Sequence, residues 1–202
     1  MIWRSRWYPR IVFLACLIPL AVFAWQWQHR GFGANPIEYE ERYLGRCTLR
    51  FLLLTLAITP LRRIHGLGGL MRVRRMLGLY TFFYACLHAL TYFAIDAQWM
   101  WLVIEDDVVH RNFFRYGMAA LTLLVPLAAT SSDRAVRWMG GRNWRRLHRL
   151  IYLIAALGVV HFALQAKGLV LTPLYYAAIL LVLLSVRVVF SVQKWRRKRV
   201  TA

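Results

Sequence analysis

The sequence predicts an all-α integral membrane protein: a six-helix transmembrane bundle with its N- and C-termini on the cytoplasmic side. Three observations carry that prediction. The 202-residue chain is 60% hydrophobic yet bears a formal net charge of +19, a pairing foreign to soluble globular domains. Six apolar stretches approach the roughly 20 residues that a helix needs to cross a bilayer. The charges between those stretches alternate, basic on one side and less basic on the other, as the positive-inside rule requires.

The stretches run over residues 9–27, 45–61, 76–95, 113–130, 144–165 and 169–192. The first is flanked by Arg4, Arg6 and Arg10 and closes on Trp25-Gln26-Trp27, suited to a membrane interface. Its AVFA segment resembles a signal-peptide cleavage site. The apolar run is long for a signal sequence, however, and its removal would leave an odd number of spans, so a retained helix is expected. The second stretch is short unless it begins near Tyr43. Between the second and third lie Arg62, Arg63, Arg72, Arg74 and Arg75, and between the fourth and fifth Arg134, Arg137, Arg142, Arg145 and Arg146. A tight turn at Lys167 precedes the last span, and the tail reads KWRRKR. The first and third loops carry Glu38, Glu40, Glu41, Glu105, Asp106 and Asp107. No stretch remains for a soluble domain, so residues 1–202 are expected to form one membrane domain. The basic residues cluster at the ends of apolar runs rather than on a soluble module, which points to lipid and away from nucleic acid. Cys16, Cys47 and Cys86 form no C-x-x-C pair and are read as small buried packing residues.

Histidines inside apolar spans call for a function. With a rise of 1.5 Å per residue, His88 lies ~20 Å along the third span from Arg75, and His161 ~20 Å beyond His148 on the fifth. Both then sit at one level in the outer half of the membrane, on two helices. Facing imidazoles of this kind hold the iron of b-type haem; a satisfied hydrogen bond between helices is the plainer alternative. Zinc fits less well, because no carboxylate or cysteine joins them at ligand spacing. His148 marks a cytoplasmic-side position, but it points ~140° away from His161 unless the helix is bent, overwound or strongly tilted. It has no partner histidine, since Arg74 stands where one would be needed. His29, His65 and His110 are read as solvated. Phe82, Phe83, Tyr84, Tyr92, Phe93, Tyr152 and Phe162 serve packing or line a cofactor pocket. Gly78, Ala85, Ala89 and Gly158 suit close approach of a backbone or macrocycle. Arg187, deep in the sixth span, either snorkels to the surface or meets a haem propionate, quinone or flavin phosphate.

The segments ITPLRR (58–63), RRMLGLYTFFYACLH (74–88) and NWRRLHRLIYLIAALGVVHF (143–162), with NPIEYEERYLG and RYGMAALTLLVPLAATS, give the chain a family. It resembles the haem-binding membrane subunits of bacterial periplasmic methionine sulfoxide reductase systems, part of the ferric-reductase-like transmembrane group. The resemblance implies an inner-membrane protein that binds haem b, one or two per chain, and FMN. It implies a relay of electrons from the quinone pool, or from a cytoplasmic flavin reductase, to a periplasmic molybdopterin methionine sulfoxide reductase subunit. That subunit would be the partner in a heterodimer that repairs oxidised periplasmic proteins, with this chain an electron-transfer subunit. The family's histidines carry over onto His88, His148 and His161 as metal ligands, and its double arginine onto Arg74 and Arg75. Related oxidases and metalloreductases hold two haems with four histidines and append a flavin- and nicotinamide-binding domain; this chain has three of those histidines and no such domain. Two other readings stay open: a self-contained quinone or ferric-chelate reductase, and a haem-free transporter or assembly factor. The paired helix interruptions of many transporters do not occur. Arg74, Arg75, Arg145 and Arg146 would steer an anionic donor or anchor to the membrane surface. The acidic third loop, Glu105–Asp107, is a candidate docking point for the periplasmic partner.

Overall fold

The computed structural model describes residues 5–29, 35–63, 67–166 and 171–200. His65, Lys167 and the predicted sixth-span start at Leu169 lie outside them. The described residues form α1 (Trp7–Gln28), α2 (Pro36–Leu61), α3 (Arg74–Thr91), α4 (Trp101–His110), α5 (Asn112–Ala129), α6 (Asp133–Met139), α7 (Gly141–Leu147), α8 (Leu150–Gln165) and α9 (Thr172–Val200). A 3-10 turn, Gly68–Arg72, leads into α3, and a π-helical turn, Tyr92–Asp96, continues it. Six segments are long and apolar enough to cross a membrane: Trp7–Gln28, Pro36–Leu61, Gly68–Asp96, Asn112–Ala129, Gly141–Gln165 and Thr172–Gln193. Among the described residues they correspond to the six predicted spans, with the second and third starting well before their predicted boundaries, the third through its 3-10 turn.

The larger extension is at the start of α2, nine residues before the predicted boundary. Asn35 caps it: its side-chain oxygen accepts from the Glu38 N–H (3.3 Å) and its amide donates to Glu38 Oε2 (3.0 Å). This reciprocal cap, with Pro36 at the first helical position, is a strong start signal. Glu38, Glu40 and Glu41 therefore ride on the opening turns of a helix rather than in a loop.

Contacts between helix ends make the spans run alternately up and down. At one end Arg72 Nη1 donates to the Ser5 carbonyl (3.3 Å), Arg75 pairs with Asp133 (2.7 Å), and the Arg63 guanidinium lies 3.8 Å over the Phe190 ring. At the other, Tyr39 Oη donates to Gln26 (3.4 Å) and Tyr92 Oη to Asp107 (2.7 Å). These are the basic and acidic ends of the bundle.

Helix α2 is the central post: half of its apolar window is buried within the protein, against 6% for α1 and for α9. One face packs Leu49, Leu52 and Leu56 against Leu124, Leu127, Ile154 and Val159. The opposite face packs Leu44, Cys47 and Phe51 against Leu77, Tyr80, Tyr84 and Cys16. Lipid is as apolar as these side chains, so hydrogen bonds and close packing must hold the helices together. Accordingly α1 is tied by three tyrosine hydroxyls, Tyr43 to the Pro19 carbonyl (2.9 Å), Tyr80 to Phe13 (3.0 Å) and Tyr84 to Cys16 (2.8 Å). Cys16 and Cys47 are buried as expected, but Cys86 is exposed. It shares the outward stripe of α3 with Leu79, Phe83 and Leu90, where a small apolar residue can face lipid.

The third loop contains α4, which was not anticipated. A turn with left-handed Gln98 (φ 47°) and Trp99 (φ 57°) precedes it. Asp107 faces inward from α4, 2% exposed, and bonds both Tyr92 and Arg111 Nε (2.8 Å). It is a structural carboxylate, which leaves Glu105 and Asp106 as the exposed acids of this loop.

Candidate haem site

His88 comes from α3 and His161 from α8, and the fold brings them opposite each other: their ring centres are 6.0 Å apart, with planes at 74°. A metal bonded to one nitrogen of each ring at about 2 Å, with a centre-to-nitrogen distance of about 1 Å per ring, places the ring centres about 6 Å apart. The pair therefore fits a bis-histidine iron.

Two glycines make room for the rings. A Cβ on Gly117 would stand 2.7 Å from His161 Nδ1 and 2.8 Å from its Cε1, so α5 can meet this imidazole only without a side chain there. On α2, a Cβ at Gly45 would lie 3.4 Å from His88 Cε1. His161 Nδ1 lies 2.7 Å from the Phe113 carbonyl. A carbonyl only accepts, so Nδ1 carries the proton and the lone pair is left on Nε2. Metal-bound histidines are oriented in this way. His88 Nδ1 is buried with no hydrogen bond of normal geometry.

Both imidazoles open into a cavity enclosed by α2, α3, α5 and α8. Its walls are mainly apolar, among them Leu52, Ala85, Leu124, Ile154 and Gly158; Thr48 and Thr81 also line it, their hydroxyls donating to the Leu44 and Leu77 carbonyls of their own helices, while Glu41, Arg42, Arg46 and Gln165 lie toward the acidic end. Tyr92, Phe93 and Phe162 also line it, whereas Tyr84 is wholly buried in packing and Phe83 faces outward. No group of three His, Cys, Asp or Glu side chains able to hold a metal occurs among the described residues. Two imidazoles beside a mainly apolar cavity suit a metal whose remaining ligands come from a macrocycle.

His148 is not brought to a second histidine. It stands where α7 gives way to α8, and the chain there makes bonds three residues back, Arg149 N to Arg146 O (3.2 Å) and Tyr152 N to Arg149 O (3.1 Å). This tightened winding exceeds 100° per residue, which removes the straight-helix basis for the 140° divergence. Both histidines accordingly meet α5, His161 near its start at Phe113 and His148 at its end at Thr130. Thr130 Oγ1 donates to the Pro126 carbonyl (2.6 Å) and so accepts from His148 Nε2 (3.1 Å). Trp144 stacks on the ring at 4.0 Å and donates Nε1–H to the Thr130 carbonyl (2.9 Å).

The arginines divide. Arg75 is engaged with Asp133. Arg187 turns inward: Nη1 donates to Tyr152 Oη (2.6 Å), Nη2 to the Leu56 carbonyl, and Nε is buried without a partner. Arg74 lies within electrostatic range of Arg187, Arg62 and Tyr152. No ion pair to an acid involves Arg74 or Arg187 among the described residues.

The family model for the ferric reductase like transmembrane component matches residues 44–159, which include His88 and His148 and stop two residues short of His161. A protein of Rhodospirillum rubrum, named protein-methionine-sulfoxide reductase heme-binding subunit MsrQ, is 47% identical over 188 residues, covering 93% of this chain and 90% of its own. The chain belongs to the MsrQ family. MsrQ proteins of Azospira oryzae (45% identical, 88% of this chain, 77% of the relative) and Caulobacter vibrioides (44%, 88% and 85%) bear the same name.

For this MsrQ-family chain, sequence reasoning missed Gly45, Gly117, Arg42 and Arg46. Arg46 carried a signal, since it falls inside the predicted second span; Arg42 lies before that span, and neither glycine differs in sequence from other helical glycines.

Proposed function

We propose that this chain is the haem-binding membrane subunit of a protein-methionine-sulfoxide reductase, an electron relay across the bacterial inner membrane. The observation that carries the reading is the His88–His161 pair, with ring centres 6.0 Å apart, lining one mainly apolar cavity. The alternation of charge supports an orientation with the basic end and both termini in the cytoplasm. The pair then lies in the periplasmic half of the membrane.

Haem supplies a one-electron carrier that spreads charge over the porphyrin and its ligands. The chain does the rest. His88 and His161 present one ring nitrogen each, the Phe113 carbonyl fixes the His161 tautomer, and Gly117 and Gly45 allow the rings to approach. Leu52, Leu124 and Ile154 keep water out of the deep cavity. His148, Arg74 and Arg187, with Arg75 at the rim, are the proposed cytoplasmic-side cofactor region. Arg74 and Arg187 without acidic partners suit an anionic group, such as a second haem's propionate, an FMN phosphate or a quinone headgroup. Electrons enter from the quinone pool or a cytoplasmic flavin reductase. They leave to a periplasmic molybdopterin subunit that forms a heterodimer with this chain and reduces methionine sulfoxide.

The test is reconstitution in liposomes with a reductant on the basic side and the periplasmic reductase on the other. Methionine sulfoxide reduction should require the chain and should vanish with His88→Ala. Full turnover of a quinone or ferric chelate by the isolated chain, with no sulfoxide reduction in the complete system, would overturn the proposal.

A further inference from the structure

Helix α2 carries three arginines one turn apart, Arg42, Arg46 and Arg50, and their surroundings differ. Arg50 Nε donates to Tyr176 Oη (3.1 Å). Arg42 pairs through Nη2 with Glu38 (2.6 Å), but its Nε is buried with no partner. Arg46 makes no hydrogen bond or ion pair among the described residues, although it falls inside the predicted second span, near its outer end. Ionisable groups within a span are costly and usually carry partners. Arg42 and Arg46 both line the histidine cavity, and they flank Gly45, against which the His88 ring lies. Glu41, the acid that also lines it, pairs with neither. Apart from the Thr48 and Thr81 hydroxyls, which are bonded to their own helices, the deep walls are apolar, so the cavity is arranged for a flat apolar body with an anionic edge directed toward the acidic end.

From this geometry we infer that Arg46, with Arg42 Nε as a second donor, binds the propionate carboxylates of the haem held by His88 and His161, and so sets which way the haem faces. The inference rests on the proposed haem site and adds a direction to it: the propionate edge points toward the acidic end, the side on which the proposed electron acceptor docks. Arg46 is a positioning and charge-compensating residue for this cofactor.

The test uses the purified full-length chain as wild type, Arg46→Gln, Arg46→Lys and Arg50→Gln. The readouts are haem per chain, the propionate-bending band in the resonance Raman spectrum, and the haem midpoint potential. Arg46→Gln should shift the band and lower the potential, because losing a cation favours the ferric state. Arg46→Lys should keep the potential near wild type with an altered band, since one ammonium replaces a forked guanidinium. Arg50→Gln should leave the band unchanged. An unshifted band and potential in Arg46→Gln, or an equal band shift in Arg50→Gln, would overturn the inference while the haem site stands. If Arg46→Gln holds too little haem to measure, the Arg46→Lys band decides, and no shift there overturns it. A wild-type chain without haem would overturn the proposed function and this inference together.

Discussion

His161 donates Nδ1–H to the carbonyl of Phe113 at 2.7 Å, a bond that joins α8 to the first turn of α5. It settles the tautomer and aim of one imidazole before any ligand is present. Pre-orientation of this kind lowers the ordering cost of binding.

Gly117→Ala tests that arrangement. The new Cβ would stand 2.7 Å from His161 Nδ1, so the ring must move and the bond to Phe113 must break. Overpacking costs about 1–3 kcal/mol, and haem retention should fall several-fold. Gly78→Ala is the control, because its Cβ would meet only Thr55 Cγ2 at 3.8 Å. Haem per chain in the two purified variants checks the difference.

Arg111→Ala should destabilise the acidic end. Its Nε holds Asp107, whose side chain is 3% exposed, and Tyr92 is the carboxylate's other partner. Losing one hydrogen bond to a buried charge costs about 1.5–3 kcal/mol, below the cost for a fully buried pair because Arg111 is half-exposed. Thermal unfolding in detergent should show a lower Tm, and adding Asp107→Asn should restore part of the loss.

Tyr84→Phe removes the hydroxyl that reaches the Cys16 carbonyl and leaves the ring packing intact. A loss of about 1 kcal/mol is expected, localised to α1. Hydrogen exchange by mass spectrometry should show faster exchange in α1 than in α2.

The Arg75 guanidinium holds the Asp133 carboxyl below the usual carboxylate range. A group whose folded pKa is depressed stabilises the fold above its ordinary pKa, about 4, and loses that contribution as pH falls through the lowered value. Arg75→Gln should return Asp133 upward to the ordinary range, as followed by NMR titration of labelled aspartate.

The spans were legible because bilayer thickness sets helix length and because arginine alternates with acid along the chain. The common depth of His88 and His161 followed from helical rise alone. Rotation was less legible. Which face of α5 meets an imidazole depends on packing between helices, so Gly117 could not be told from any other helical glycine. The rotation of His148 was not legible for a related reason: the ~140° angle holds for a straight helix, and the tightened turn at Arg149 and Tyr152 leaves no periodicity signal. Arg42 fell outside the second span because that span was begun at residue 45, although Asn35, Pro36 and Glu38 carry a start signal; Arg46 lay inside it, and its charge alone marked it.

The most direct test of the central claim is a reduced-minus-oxidised visible spectrum, with haem per chain quantified, of wild type beside His88→Ala, His161→Ala and His148→Ala. The b-type α-band of the haem between His88 and His161 should collapse in both of the first two variants and persist in His148→Ala. A full band in His88→Ala or His161→Ala, or no haem in wild type from a haem-replete host, would contradict it.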